Sequence, residues 1–192
     1  MLRIIHNTSL KNEEIVVPRN TRMEIIILAN DDTTMMTLRN VRILLEEHAT
    51  AIVFSGIFAP IMLQLHGVLH GNHAVFEHHI AYMGNAHHVL DMQVSAEHRG
   101  TTGMSRIMVR GIASDASHAR AMGSIHIQEQ GKGADARWEH EGLLLSPRAR
   151  IDALPGLTIE TNDVRASHSS AIHYVKSNQL FYAQTRGIDI TT

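Results

Sequence analysis

The feature that most constrains the fold is a register of short apolar runs. Three such runs begin at positions 106, 124 and 142, so they follow one another at a spacing of 18 residues. The segments between them, 111–117 and 129–135, are both built from small or polar residues. A fixed repeat of strand and turn is typical of a solenoid, because one coil cannot bury its apolar face until neighbouring coils stack on it.

Apolar runs of strand length recur along the rest of the chain, whereas helical periodicity is nearly absent. Turns that contain Gly, Asn, Asp, His or Ser separate these runs. The runs include residues 14–17, 23–28, 41–45, 51–54, 61–65 and 89–94. Residues 25–28 are apolar at consecutive positions, as expected of a parallel strand that is covered on both faces. The pattern therefore predicts an all-β, parallel solenoid.

The alternative all-β fold is an antiparallel sandwich or barrel. Such a fold should show two-residue hairpin signals such as Asn-Gly or Asp-Gly between its strands. The sequence contains neither dipeptide. A buried sandwich strand would also be apolar at consecutive positions, so residues 25–28 do not by themselves separate the two folds.

Only the last stretch departs from the strand pattern. Residues 178–187 offer Asn178 as an N-cap, helix-permissive residues and a terminal Gly187, which predicts a short helix. We expect this helix to close the solenoid, because an open terminal coil exposes unpaired backbone and apolar core to water.

Length and composition allow one domain with its own apolar core. The chain has 192 residues, of which 44% are hydrophobic, and this suffices to bury a core without disulfides or a structural metal. We therefore expect a single domain over residues 1–192. The sequence has no cysteine, which excludes disulfides, thiolate catalysis and ligation of a metal cluster by the chain's own thiolates.

Charge and hydropathy exclude two classes of partner. The formal net charge is −2 and 19% of the residues are charged, so the sequence offers no basic stripe for nucleic acid. No apolar run approaches the ~18 residues of a membrane span, and residues 1–7 lack the apolar core of a signal peptide. We expect a soluble protein that binds neither nucleic acid nor a membrane, with the cytoplasm as the simplest compartment.

The C-terminal part of the chain contains three motifs in a fixed order. Residues 143–155 read LLLSPRARIDALP, residues 157–168 read LTIETNDVRASH, and residues 179–188 read QLFYAQTRGI. They are similar to the Leu-Leu-Leu-Ser-Pro coil, the Leu-x-Ile-x-x-Asp-Asp-Val-x-Cys-Ser-His segment and the closing Leu-Phe-Tyr and Arg-Gly-Ile of the SufB/SufD proteins of iron–sulfur cluster assembly. The resemblance is strong over residues 104–190 and faint before them.

This resemblance implies a right-handed parallel β-helix that pairs with a second β-helix subunit to build a scaffold for iron–sulfur clusters. We therefore expect a dimer, with either a SufB-like subunit or a second copy of this chain as the partner. An ATPase subunit, SufC, drives the family's complex and docks on a C-terminal helical region. The chain has room neither for that region nor for the family's N-terminal helical region, which counts against binding of SufC.

The resemblance also assigns one metal ligand, His168, which matches the SufD-type histidine near the subunit interface where a nascent cluster sits. Neutral imidazole is a good iron ligand and replaces thiolate in some clusters. The family's cysteine two residues earlier is Ala166 here, and the SufB-type cysteine has no counterpart in residues 139–142. We therefore expect no cofactor on the isolated chain and at most a transient cluster shared with a partner. The alternative is that His168 is a turn residue that bonds to backbone.

A second group of histidines suggests a metal site. Its members are His66, His70, His73, His78, His79, His87 and His88. Gly67 and Gly71 interrupt the segment, so it does not look like a helix that places a His-x3-His pair on one face, as zinc sites can require. A ladder of histidines on adjacent coils could bind zinc or nickel weakly, but solvated turn histidines explain the segment more simply.

Three functions from different classes remain. The favoured one is an accessory scaffold subunit of SUF-type iron–sulfur assembly, which is not an enzyme. No Gly-x-Ser-x-Gly elbow accompanies Ser167 and His168, and no phosphate-binding glycine motif occurs. The second is a stand-alone solenoid that binds proteins without cluster chemistry. The third, a carbohydrate-active enzyme, should cluster its acidic residues, which are scattered here. Trp138 beside Arg137 indicates an exposed coil edge or an interface.

Overall fold

The computed structural model describes residues 1–6, 11–30 and 36–188. Within these ranges the chain alternates between two parallel sheets. The odd sheet contains β1 (Leu2–His6), β3 (Arg22–Ala29), β5 (Thr50–Ile57), β7 (Val75–Gly84), β9 (Met104–Ala113), β11 (Asp135–Leu144) and β13 (Arg165–Tyr174). The even sheet contains β2 (Lys11–Val17), β4 (Thr37–Leu45), β6 (Ile61–Leu69), β8 (Val89–His98), β10 (His118–Ile127) and β12 (Arg150–Ile159).

Each strand pairs in parallel with the strand two positions away along the chain. The chain therefore winds from one sheet to the other and back in every coil. The predicted fold class, a right-handed parallel β-helix with a short C-terminal helix, is confirmed. The predicted single domain includes residues 7–10, 31–35 and 189–192, which lie outside the described residues.

The length of one coil differs from the predicted repeat of 18 residues. Val75 pairs with Met104, Met104 pairs with Asp135, and Asp135 pairs with Arg165. One coil is therefore 29 to 31 residues long and contains two strands. The runs at 106 and 124 lie in β9 and β10, which belong to different sheets. An 18-residue coil is wrong because apolar runs mark strands without showing which sheet each strand joins.

Side chains alternate between the interior and the outer surface along each strand, as the geometry of a strand requires. In β3, Ile25 and Ile27 are completely buried, whereas Ile26 and Leu28 on the outer face are partly exposed. The expectation that this run is covered on both faces is therefore wrong. The buried residues of both sheets form one continuous core along the solenoid.

The C-terminal helix, α1 (Ser177–Thr185), is confirmed, but its details differ from the prediction. Lys176 is the N-cap residue, and its backbone N–H donates to Oε1 of Gln179, so Asn178 lies inside the helix. Gly187 follows the C-cap with a φ of 80°, as a terminal glycine should. None of the helical residues is buried, so α1 does not cover the core of the solenoid. It is too short to cross a membrane, and no other described helix could do so.

The last coil, formed by β12 and β13, ends the solenoid. Each of the two strands is the terminal strand of its sheet. In earlier coils the inward-facing residues are buried, but in β13 they are exposed or only partly buried. No described segment stacks on this coil, and we call its uncovered inner face the open end.

Candidate functional site

His168 lies on the open end. In-register parallel strands place paired residues on the same face of a sheet. His78, Ile107, Trp138 and His168 form one such row through β7, β9, β11 and β13. The first three of these residues are buried, and only His168 is exposed, because the solenoid ends there. His168 is thus a strand residue of the inner face, and its alternative assignment to a turn is wrong.

Trp138 fills the core directly beneath His168. Its side chain is 1% exposed, so the expectation of an exposed coil edge is wrong. The indole packs against Gly123 of the even sheet and stacks on the imidazole of His140 at 6.2 Å between ring centroids. The indole Nε1 has no hydrogen-bond partner among the described residues. A large, rigid ring therefore forms the floor of the open end at His168.

A hydrogen-bonded group of three side chains extends from the core to the open end beside His168. The hydroxyl of Tyr82 lies 3.0 Å from Nε2 of His140, and Nδ1 of His140 lies 3.3 Å from Oγ of Ser170. Tyr82 is in β7, His140 is in β11 and Ser170 is in β13. We call these three residues the inner hydrogen-bond network.

Two glycines make this network sterically allowed. Tyr82, Gly111 and Gly142 pair in register through β7, β9 and β11. A Cβ at position 111 would lie 2.4 Å from the Tyr82 ring, and one at position 142 would lie 3.2 Å from its hydroxyl oxygen. Because both positions lack a side chain, the phenol reaches across one whole coil to His140.

Burial determines the protonation of the network. It raises the pKa of Tyr82, so the phenol keeps its proton. It lowers the pKa of His140, against the opposing effect of the nearby Glu141 carboxylate. A lowered pKa keeps the imidazole neutral at neutral pH, with one donor and one acceptor nitrogen.

Two other buried histidines are bonded to serines deeper in the solenoid. Nε2 of His78 lies 2.8 Å from Oγ of Ser55, and Nε2 of His98 lies 2.8 Å from Oγ of Ser105. Burial lowers the pKa of His78 to about 3 and that of His98 to about 4. Neither pair reaches the open end, because the four residues lie in β5, β7, β8 and β9.

The structure separates the histidines of segment 66–88. Four of them lie in turns, as predicted, namely His70, His73, His87 and His88. His78 is completely buried, so for this residue the prediction of a solvated turn histidine is wrong. His66 lies on the outer face of the even sheet, where its ring nitrogens contact Ser95 and Glu97 at 2.7 and 3.1 Å.

One feature of this segment resembles the expected ladder. His73 stacks on His48 of the preceding coil at 4.7 Å between ring centroids. Both residues occupy equivalent turn positions with a φ of 56°. Across the described ranges, no three His, Cys, Asp or Glu side chains come together in a way that could hold a metal ion. The stacked pair therefore contributes at most two rings.

Sequence reasoning missed Tyr82, His140 and Ser170. A glycine inside a strand often marks the close approach of another group, so Gly111 and Gly142 were the available signal. The signal does not reveal which residue approaches. Tyr82 and His140 are 58 residues apart, and only the coil length of about thirty residues brings them together.

The three sequence motifs of the C-terminal part all lie at the open end or in α1. Residues 143–155 form the end of β11, a turn and part of β12, while residues 157–168 run from β12 into β13. Residues 179–188 include most of α1. A parallel β-helix that concentrates its recognisable motifs in the last coil defines the class of protein to which this chain belongs.

Comparison with known proteins identifies the family within that class. The sequence matches the family described as SUF system FeS cluster assembly, SufBD core domain, over residues 5–192. The chain belongs to this family.

Several curated relatives carry the same family name or role. The chain is 27% identical to the iron–sulfur cluster assembly protein SufD of Escherichia coli (strain K12) over 176 residues, which is 90% of this chain and 41% of that protein. It is 34% identical to SufD of Bacillus subtilis (strain 168) over 91 residues, 47% of this chain and 21% of the relative. It is 26% identical to the chloroplastic SufBD family protein ABCI8 of Arabidopsis thaliana over 122 residues, 64% of this chain and 22% of the relative. The chain thus spans less than half the length of these relatives.

Proposed function

We propose that the chain is a scaffold subunit of iron–sulfur cluster assembly that pairs with a second β-helix through its open end and performs no catalysis itself. The observation that carries this proposal is the position of His168. In a member of the SufBD core family, the only residue matched to a cluster ligand lies on the inner face of the last coil, where the solenoid is uncovered.

The open end has the properties of an incomplete core. Tyr174 is 66% exposed although its register partner, Leu144, is buried. Ile159 at the end of β12 and Ile172 in β13 are also substantially exposed. Covering these side chains would remove apolar surface from water, and strand pairing would satisfy the free backbone edges of β12 and β13. A second β-helix provides both.

The ligand chemistry requires that the partner bring cysteines. Iron–sulfur clusters are normally held by four protein ligands, mostly thiolates, with imidazole as a minority substitute. The chain has no cysteine, so His168 supplies at most one bond to a cluster at the joint. A SufB-like subunit is the partner that completes such a site, and a second copy of this chain would not. SufC enters this proposal only through that partner.

Iron uptake by the paired complex tests the ligand role of His168. We would co-express the chain with a SufB-like subunit from the same genome, purify the complex anaerobically, and measure iron and visible absorption after addition of iron and sulfide. His168→Ala should abolish the cluster, whereas His173→Ala should retain it. His173 is a matched control because it is exposed on the same strand but on the outer face. Equal uptake by both variants would show that His168 is not a ligand.

Light scattering tests the pairing surface. Tyr174→Arg should abolish pairing, because it places a charge in the proposed joint, and the exposure of Tyr174 makes loss of the fold an unexpected result. The control is Phe54→Arg on the outer face of the odd sheet, where Phe54 is 44% exposed. Loss of pairing with Phe54→Arg alone would favour the second candidate, a stand-alone solenoid that binds proteins through its outer face.

Exposed apolar residues on that outer face support the second candidate. Phe54, Phe58 and Met83 are each nearly half exposed. Contiguous apolar surface of this kind marks interaction sites. A chain that pairs through this face and takes up no iron with any SufB-like subunit would be an interaction module without cluster chemistry.

A further inference from the structure

The inner hydrogen-bond network has a defined direction. In the part of the chain that the structure describes, the Tyr82 hydroxyl has one hydrogen-bond partner, Nε2 of His140. A buried hydroxyl proton that is not donated leaves a polar group unpaired, so the phenol donates and Nε2 accepts. The proton of the neutral imidazole is then on Nδ1, and Nδ1 donates to Oγ of Ser170.

This direction leaves the hydroxyl proton of Ser170 for another acceptor. The oxygen of Ser170 already receives the proton of His140, and no other hydrogen bond to Ser170 occurs among the described residues. Ser170 is exposed, whereas its register partner, His140, is buried. The hydroxyl proton is therefore available at the open end.

Ser170 and His168 lie on the same face of β13, because they are two residues apart in one strand. Their α-carbons are separated by about 7 Å, twice the rise of a strand residue. An atom bound to iron on the ring of His168 thus lies within reach of the Ser170 hydroxyl. No thiolate of this chain competes for that position, since the sequence contains no cysteine.

We infer that Ser170 donates a hydrogen bond to a sulfur atom of the cluster held beside His168, and that Tyr82 and His140 are positioning residues that fix the direction of this bond. The inference rests on the proposed function. The acceptor is an anionic sulfur, which is either an inorganic sulfide of the cluster or a thiolate of the partner. Hydrogen bonds to these sulfurs tune the reduction potential of a cluster, so the network acts on the electronic properties of the cargo without ligating it.

The isolated chain tests the direction of the network without iron. Nitrogen NMR should place the proton of His140 on Nδ1. In Tyr82→Phe the donor to Nε2 is lost, and the population of the other tautomer should rise. A proton on Nε2 in the unmodified chain would overturn the inference.

The complex with a SufB-like subunit tests the hydrogen bond itself. Ser170→Ala should retain the cluster but shift its reduction potential to a more negative value and move an iron–sulfur stretching mode in the resonance Raman spectrum. Labelling with heavy-isotope sulfide distinguishes the two acceptors, because only modes of inorganic sulfide respond to the label. The matched control is Ser169→Ala, an adjacent residue on the outer face of β13, which should change neither quantity.

Two failures can be distinguished. If the unmodified complex takes up no His168-dependent iron, the proposed function fails, and this inference fails with it. If the cluster forms but Ser170→Ala leaves its potential and its vibrational modes unchanged, only the inference is overturned. Tyr82→Phe provides the final check, because a positioning role predicts a smaller shift of the same sign as that of Ser170→Ala.

Discussion

The indole of Trp138 lies against the backbone of Gly123 on the opposite sheet, so closely that a Cβ at position 123 would be 2.1 Å from Nε1. The ring is fully buried and stacked on His140, so it has no space into which to move. We expect Gly123→Ala to lower the free energy of unfolding by about 1–3 kcal/mol, the typical effect of overpacking a core. Urea unfolding, followed by the fluorescence of the single tryptophan, measures this change.

Gly156→Ala is the matched control for Gly123→Ala. Gly156 is also a strand glycine, but the nearest atom to its Cβ would be 3.4 Å away, close to ordinary van der Waals contact. We expect a much smaller loss of stability from this variant. Equal losses in the two variants would show that the flexibility of glycine, and not the contact with Trp138, decides the effect.

Two buried histidines make stability depend on pH. The pKa of His78 falls from 6.5 to about 3 and that of His98 from 6.5 to about 4, in both cases through burial. Both rings stay neutral in the folded chain, whereas the unfolded chain protonates them below pH 6.5. The unfolded state then binds more protons, so each histidine lowers the free energy of unfolding by about 1.4 kcal/mol per pH unit. Stability should be complete above pH 6.5 and decrease from there towards the folded pKa values.

Urea unfolding between about pH 5 and 8 checks this dependence. The side-chain hydrogen bond from Arg106 lowers the pKa of Asp135, so this carboxylate remains ionised over that range. His98→Gln should remove about half of the slope that the two histidines produce. Exposed His87→Gln is the control and should leave the slope as it is. A stability that does not change between pH 5 and 6.5 would contradict the prediction.

Ala86 occupies a backbone conformation that alanine rarely adopts. Its φ is 50°, and the left-handed region costs an L-residue roughly 1–2 kcal/mol. Glycine avoids this cost but loses about 0.5–1 kcal/mol of chain entropy. The Ala86 N–H donates to Oδ2 of Asp115 at 2.8 Å, and a glycine would keep this bond. We expect Ala86→Gly to raise the free energy of unfolding by about 0.5–1 kcal/mol.

Ala81→Gly is the control for Ala86→Gly. Ala81 is also exposed but lies within β7, where its backbone is extended and glycine brings only the entropic cost. This variant should be destabilised by about 0.5–1 kcal/mol. Changes of the same sign in the two variants, measured by urea unfolding, would contradict the assignment of strain to Ala86.

The sequence predicts strands well because the alternation of apolar residues is a local property. Ile107 and Ile125 are both recognisable as core residues, and both are completely buried. Their spacing nevertheless suggested the wrong coil length, because the two residues lie in different sheets. Which strand stacks on which depends on turns and contacts that are about thirty residues apart, and no local pattern records them.

The candidate site was predictable only in part, for a related reason. The motif around His168 is visible in the sequence, but its position on an inner face follows from the register with Trp138. His78 looked like one of several turn histidines, although its place in β7 directs it into the core. The contact between Tyr82 and His140 spans two coils, and it depends on the coil length that the sequence did not reveal.

The last prediction concerns the isolated chain, which should hold no stable iron–sulfur cluster. Four ligands, mostly thiolates, are the normal requirement, and the chain has no cysteine. The described residues also offer no group of three His, Cys, Asp or Glu side chains that could replace those thiolates. His168 alone provides one bond, which is too few to retain a cluster against dilution. Anaerobic treatment with iron and sulfide, desalting, and then iron analysis and visible absorption should show no stoichiometric iron. A stable cluster at one per chain would contradict both this prediction and the need for a cysteine-bearing partner.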